Sequence, residues 1–187
     1  MLNNNEDLRK VKQLQNLYNT LTNFFWSILC ILPVYIFCYN FMPLKLLYIF
    51  LAISILPVFI PNSLLNKIQL SKSTKIYKTL GVHRVNKFTQ NGDLINRIIR
   101  KKYPGFKVVS FSVASANKLY NHTYANEKFH YILFIFYCLS MVYALVKNHP
   151  VWALVFLLCN VLYNVYPILL QQYIRIKLRL YINRKNA

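Results

Sequence analysis

Acidic residues are few enough in this chain to be weighed one at a time. Glu6 and Asp7 lie in the polar start, Asp93 stands where it can cap a helix, and Glu127 remains. Glu127 comes three residues before His130, in the run Thr123-Tyr124-Ala125-Asn126-Glu127-Lys128-Phe129-His130. Helical residues at i and i+3 share a face. A carboxylate that holds one imidazole nitrogen fixes the tautomer and raises the basicity of the other, as a general base aimed at a hydroxyl requires. The same residues also fit an ion pair of Glu127 with Lys128 or an arginine, with His130 only hydrogen-bonded among the helices.

A second arrangement competes for the role of base. Asn121-His122 with Glu127 reads N-H-x-x-x-x-E, close to the N-H-x-x-x-x-D pattern in which glycerolipid acyltransferases set a histidine against an acid. On an ideal helix His130 lies about 60° around from Glu127 and His122 about 140°. Geometry therefore favours Glu127 with His130, unless the chain before Glu127 is a loop. His83, His122, His130 and His149 are too few for a histidine-box di-iron centre, so no metal site is expected. Asn160, Asn164, Pro167 and Gln171 fall within one narrow helical arc, which Arg175 continues. In a membrane helix such a stripe faces the bundle, either for chemistry or to lock helices by hydrogen bonds. Pro167 also frees a carbonyl near Tyr163, where the helix can open locally.

The elements that must position these residues follow from composition. The chain has 187 residues and a net charge of +19, yet 56% are hydrophobic and 16% aromatic. A soluble nucleic-acid binder rarely combines those values, and anchoring in a membrane fits them better. Three glycines and no Gly-rich phosphate loop argue against a nucleotide fold. Cys30, Cys38, Cys138 and Cys159 sit in apolar stretches without C-x-x-C spacing, as small buried hydrophobes do. Four apolar runs, 24–42, 44–60, 129–146 and 151–170, are each close to the roughly 20 residues that cross a bilayer. The expectation is an all-α integral membrane protein of one domain: two transmembrane helical hairpins with a basic interfacial segment, 61–128, between them. Thirteen of the 23 cations lie in 61–128 and one in each short turn, Lys45 and Lys147. The positive-inside rule then puts both termini and 61–128 in the cytoplasm of a multi-pass cell-membrane protein. With Glu6 and Asp7 at the start and no small-residue cleavage site after the first run, that run is expected to stay as a span.

Within 61–128, Leu65, Ile68, Ile76 and Leu80 read as one apolar helical face that ends at Gly81 as a C′ residue. After an Asn91-Gly92 turn, Asp93 is expected to cap a short helix with Leu94, Ile95, Ile98 and Ile99 apolar and Arg97, Arg100, Lys101 and Lys102 basic, ended by Tyr103-Pro104-Gly105. Both helices are expected to dip into the interface with their cations on anionic headgroups. Ile174 to Ile182 alternates as a strand would, but it continues a spanning helix and is read as helix.

Tyr77 to Phe88 (YKTLGVHRVNKF), Glu127-Lys128-Phe129-His130 and Asn160 to Leu180 (NVLYNVYPILLQQYIRIKLRL) together resemble the glycosyl-4,4'-diaponeurosporenoate acyltransferase family of small bacterial membrane proteins. The resemblance implies transfer of a fatty acyl group from an acyl-CoA or acyl-carrier thioester to a sugar hydroxyl of a glycosylated carotenoid or related glycolipid. No bound cofactor is implied. It places Gly81, Val82 and Lys87 in a cytoplasmic element and makes Glu127 and His130 the acid and imidazole. Asn164, Tyr166, Pro167, Gln171, Tyr173, Arg175 and Arg179 form the ending. Lys87, Tyr166, Arg175 and Arg179 would meet substrate, and Asn164 or Gln171 would donate to the developing oxyanion. Gln172 departs from the arginine usual at its position. A non-catalytic scaffold or lipid-binding subunit, with the same polar residues only locking helices, is the reading of a different class.

Overall fold

The computed structural model describes residues 5–89, 92–104 and 112–186, and among them there are helices and no strands. Helix α1 (Asn5–Phe41) is followed by α2 (Leu44–Ser54), α3 (Asn62–Ile68), α4 (Thr74–Thr79), α5 (Val82–Val85) and α6 (Asp93–Lys102). Then come α7 (Val113–Val146), α8 (Pro150–Asn160) and α9 (Tyr166–Asn186), the last two joined through a π-helical turn at Val161–Val165. Three rods are long and apolar enough to cross a membrane: Arg9–Phe41, Val113–Val146 and Pro150–Asn186. Leu44–Phe59 and Asn62–Ile68 pass the same test only as a pair, bent by 95°. Pro57 and Pro61 explain the break, since each lacks the N–H that would continue the ladder. At about 1.5 Å per residue, the 11 residues of α2 alone are shorter than a 30 Å hydrocarbon core, so a fourth crossing here would take the whole of Leu44–Phe59 as a broken span.

The rods display their apolar side chains outward. Phe24, Phe25, Tyr35, Val151 and Leu154 are all more than half exposed, a surface that water disfavours and lipid solvates. Inside, Val34, Phe37, Phe136, Tyr137, Ala153 and Phe156 form the core between α1, α7 and α8. Small Ala144 and Ala153 let the α7–α8 hairpin close, and its turn is completed by Asn148 at φ 58°. The first hairpin does not form as expected. Helix α2 packs on α7, whereas α1 packs on α6 and α8. Tyr143 donates its hydroxyl to the Phe41 carbonyl at 2.9 Å and Tyr137 to the Cys30 carbonyl at 2.8 Å, so α7 supplies polar ties to α1.

All three rods exceed the roughly 20 residues a bilayer needs, and the excess of each projects at one end of the bundle. There the short helices pack on the projecting rods instead of lying freely at an interface. Tyr77 and Val82 join Leu170, Tyr173 and Ile176 of α9, while Ile95 and Ile99 join Val11 of α1. The expected face of Leu65, Ile68, Ile76 and Leu80 is split by the break at 69–73. Only Leu65 is buried, and Tyr77 takes the inward place on α4. Leu94 and Ile98 remain exposed. Gly81 does stand at C′ of α4 with φ 74°, a conformation that costs an L side chain roughly 1–2 kcal/mol. Gly92, not Asp93, occupies the N-cap of α6. Asn91 and Gly105, expected in the flanking turns, lie outside the described residues.

Candidate functional site

Where the projecting ends of α7 and α9 meet, a buried polar network replaces the apolar core. Glu127 on α7 is fully buried and accepts two hydrogen bonds, from Gln172 Nε2 at 2.7 Å and from Arg175 Nη1 at 2.6 Å. Arg175, only 2% exposed, also donates from Nη2 to Gln69 Oε1 at 3.3 Å and lies 4.3 Å over the Tyr124 ring. A charge-assisted bond and a cation–π contact on a desolvated guanidinium suit each other, because low dielectric strengthens both. Gln172 turns its Oε1 to the Leu70 N–H at 3.2 Å and the Tyr77 hydroxyl at 2.9 Å. Burial holds the Tyr77 hydroxyl above its usual pKa, which keeps it neutral and able to donate. The Tyr124 hydroxyl donates to Asn66 Oδ1 at 3.0 Å. One carboxylate thus joins α7 and α9 to α3, α4 and the 69–73 connection.

A second polar cluster sits one turn deeper. Asn164, fully buried in the π-helical turn, donates from Nδ2 to Asn160 Oδ1 at 2.8 Å, and Asn160 Nδ2 donates to the Phe134 carbonyl at 3.2 Å. The His130 ring adjoins Asn164 and the Tyr163 backbone and stands edge-on to the Tyr163 ring. Tyr163 hydroxyl and Ser27 Oγ are 2.9 Å apart, which brings α1 into the cluster. Two atoms here are buried without a hydrogen-bond partner among the described residues: His130 Nδ1 and Asn164 Oδ1. With the imidazole proton on Nδ1 these two atoms can satisfy each other, and with it on Nε2 both are acceptors left open for a ligand group that donates.

Glu127 and His130, expected as a pair, divide between these clusters. Both carboxylate oxygens of Glu127 are engaged by Gln172 and Arg175, and no hydrogen bond joins it to His130 among the described residues. Asn164 Nδ2 gives one of its two hydrogens to Asn160, and its Oδ1 is the atom without a partner. Gln171 is half-buried and outside the network, and Gln172 holds the inward position. After the π turn the buried face takes in Ile168, Leu170, Gln172, Tyr173, Arg175 and Ile176, so Arg175 keeps the inward place expected of it while Gln171 gives way to Gln172. Tyr166 is half-buried against the Tyr77–Tyr173 cluster, while Lys87 and Arg179 are exposed. Helix α7 is continuous from Val113, so no loop folds His122 back, and it is exposed with Asn121.

The model of the glycosyl-4,4'-diaponeurosporenoate acyltransferase family matches residues 61–184. The chain belongs to that family. The match begins after α1 and α2 and takes in both polar clusters except Ser27. No curated protein and no solved structure matches the chain. Family membership supports an acyltransferase role, and the apolar rods support association with a membrane. Sequence reasoning missed Gln69, Tyr77, Tyr124 and Gln172. Tyr77 and Gln172 lie in the runs that carry the resemblance but were given no role there, and Pro167 marked the opening near Tyr163, where the π turn lies, without showing that the stripe would move from Gln171 to Gln172.

Proposed function

We propose that this family member transfers a fatty acyl group from an acyl-CoA or acyl-carrier thioester to a sugar hydroxyl of a glycosylated carotenoid or related glycolipid in the cell membrane. It does so as a four-span protein with both termini and 61–128 in the cytoplasm. The observation that carries the reading is the pair of orphaned atoms, His130 Nδ1 and Asn164 Oδ1, buried at the π turn of a family member. Asn164 Oδ1 accepts a hydrogen bond from the sugar and holds it. His130 Nδ1 takes the proton of the acceptor hydroxyl as its oxygen adds to the thioester carbonyl. The tetrahedral intermediate expels the thiolate, which takes the proton back from the imidazolium, leaving an ester and a free thiol. Glu127 and Arg175 position this chemistry by fixing α7 against α9. Anionic headgroups and an anionic donor are drawn to the basic end, including Lys87 and Arg179.

Lipid extracted from cells with and without the gene tests the reading. Loss of one esterified species with accumulation of its deacyl precursor is expected, whereas a scaffold changes no single ester. In purified protein His130→Ala is expected to lower kcat by about 10²- to 10⁴-fold. His122→Ala, on the exposed side of α7, is expected to retain most of the activity. Equal activity of both variants with the wild type would remove His130 from the chemistry.

A further inference from the structure

Between the start of α1 and the end of α6 lies a crevice of about 290 Å³ lined by Lys10, Gln13, Leu14, Leu17, Lys102 and Tyr103. It belongs to neither polar cluster, and α1 lies outside the residues that the family model matches. Lys10 and Lys102 make its lining cationic, and Leu14, Leu17 and Tyr103 supply an apolar part. Lys10 has an exposed Glu6 as counter-ion at 2.6 Å, and Lys102 reaches over the Tyr103 ring at 5.9 Å. The apolar part of the lining continues along α1. At 100° per residue, Lys10, Leu14, Leu17, Leu21 and Phe24 fall within an arc of about 80° on α1. Leu17 and Leu21 are each 54% exposed and Phe24 is 64% exposed. The charge-free run starts at Gln13, but the 19 residues that end at Met42 begin at Phe24, so Leu17 and Leu21 are exposed leucines ahead of the part proposed to cross the membrane.

We propose that this crevice receives the phosphate end of a phosphopantetheine-borne acyl thioester, with the Leu14–Leu17–Leu21 stripe as the track along which its arm reaches the membrane. The proposal rests on the acyltransferase reading and adds to it the place where the donor binds. A bilayer phospholipid fits the position poorly. Lys10 lies 14 residues before Phe24, about 20 Å along the helix, whereas the headgroup layer is only about 5–8 Å deep on each side of the hydrocarbon. A phosphate at Lys10 and Lys102 therefore arrives from solution. Ser27, whose hydroxyl meets Tyr163 beside His130, follows Phe24 by three residues and lies about 60° around the helix from it, so the thioester leaves the stripe there to approach the imidazole.

Binding of coenzyme A to the full chain in phosphatidylcholine nanodiscs tests the site without any need for transfer. The double variant Lys10→Ala, Lys102→Ala is expected to weaken that binding at least about tenfold, with a steep salt dependence in the wild type. Glu6→Gln, which frees Lys10, is expected to tighten it. Leu17→Glu is expected to weaken palmitoyl-CoA more than coenzyme A. Wild-type affinity in the double lysine variant, or no binding to the wild type, would overturn the assignment. Displacement of coenzyme A by phosphatidylglycerol in the discs, dependent on the same two lysines, would overturn it in favour of a lipid headgroup. If coenzyme A binds as expected and no acyl transfer is found, the acyltransferase reading fails and the crevice stands.

Discussion

Glu127 and Arg175 form the buried ion pair of the candidate site, and their removal separates stability from chemistry. Glu127→Gln keeps size and one acceptor but leaves the Arg175 guanidinium charged and desolvated, which typically costs roughly 3–5 kcal/mol. Arg175→Met leaves the converse charge, whereas Glu127→Gln combined with Arg175→Met leaves neither. Thermal unfolding in detergent is therefore expected to fall sharply in each single variant and to recover in part in the double variant. If Glu127→Gln unfolds as the wild type does, the pair is not holding α7 to α9. The sequence made Glu127 conspicuous because acids are rare, and an arginine partner was one of its readings. It could not choose between His130 and Arg175. That choice depends on which helix faces α7, and helix spacing within α7 carries no such information.

At the scale of elements, the extent of helix was readable and its interruptions were less so. The long apolar runs and Gly81 as a helix end follow from local chemistry, and these features are present. The extension of α1 and α7 ahead of their apolar runs was hidden, because polar turns resemble loops until tertiary packing covers them, whereas the helix through Ile174–Ile182 was read as such and is present. Apolar faces in 61–128 were assigned to lipid when α1 and α9 cover part of them. Gly81 offers a test that touches no side chain of the site. A Cβ there meets nothing within 4 Å, so Gly81→Ala acts only through the left-handed backbone. Destabilisation of the α4–α5 layer by about 1–2 kcal/mol is expected, measured as faster hydrogen exchange in 74–85 with no change in α7. Uniform exchange in the variant and wild type would mean that the turn is held by its neighbours regardless of conformation.

For the whole molecule, orientation decides whether a cytosolic donor can reach the proposed site. With 13 cations in 61–128, a cysteine placed at Lys101 is expected to be labelled from the cytoplasm alone and one at Asn148 from outside alone. Both positions are exposed. Opposite labelling would place the Glu127 network away from any cytosolic thioester. The pairing of helices was not accessible to sequence, since Pro43 joins α1 to α2 yet α2 leans on α7. That pairing has a temporal consequence. The hydrogen bonds that α1 makes from Ser27, Cys30 and Phe41 all go to Tyr163, Tyr137 and Tyr143, more than a hundred residues downstream. A ribosome adding about 5–20 residues per second needs roughly 5–20 s to make that stretch. For that interval α1 waits without these three tyrosines, and whatever shields its apolar surface then is as much a condition of assembly as the contacts that replace it.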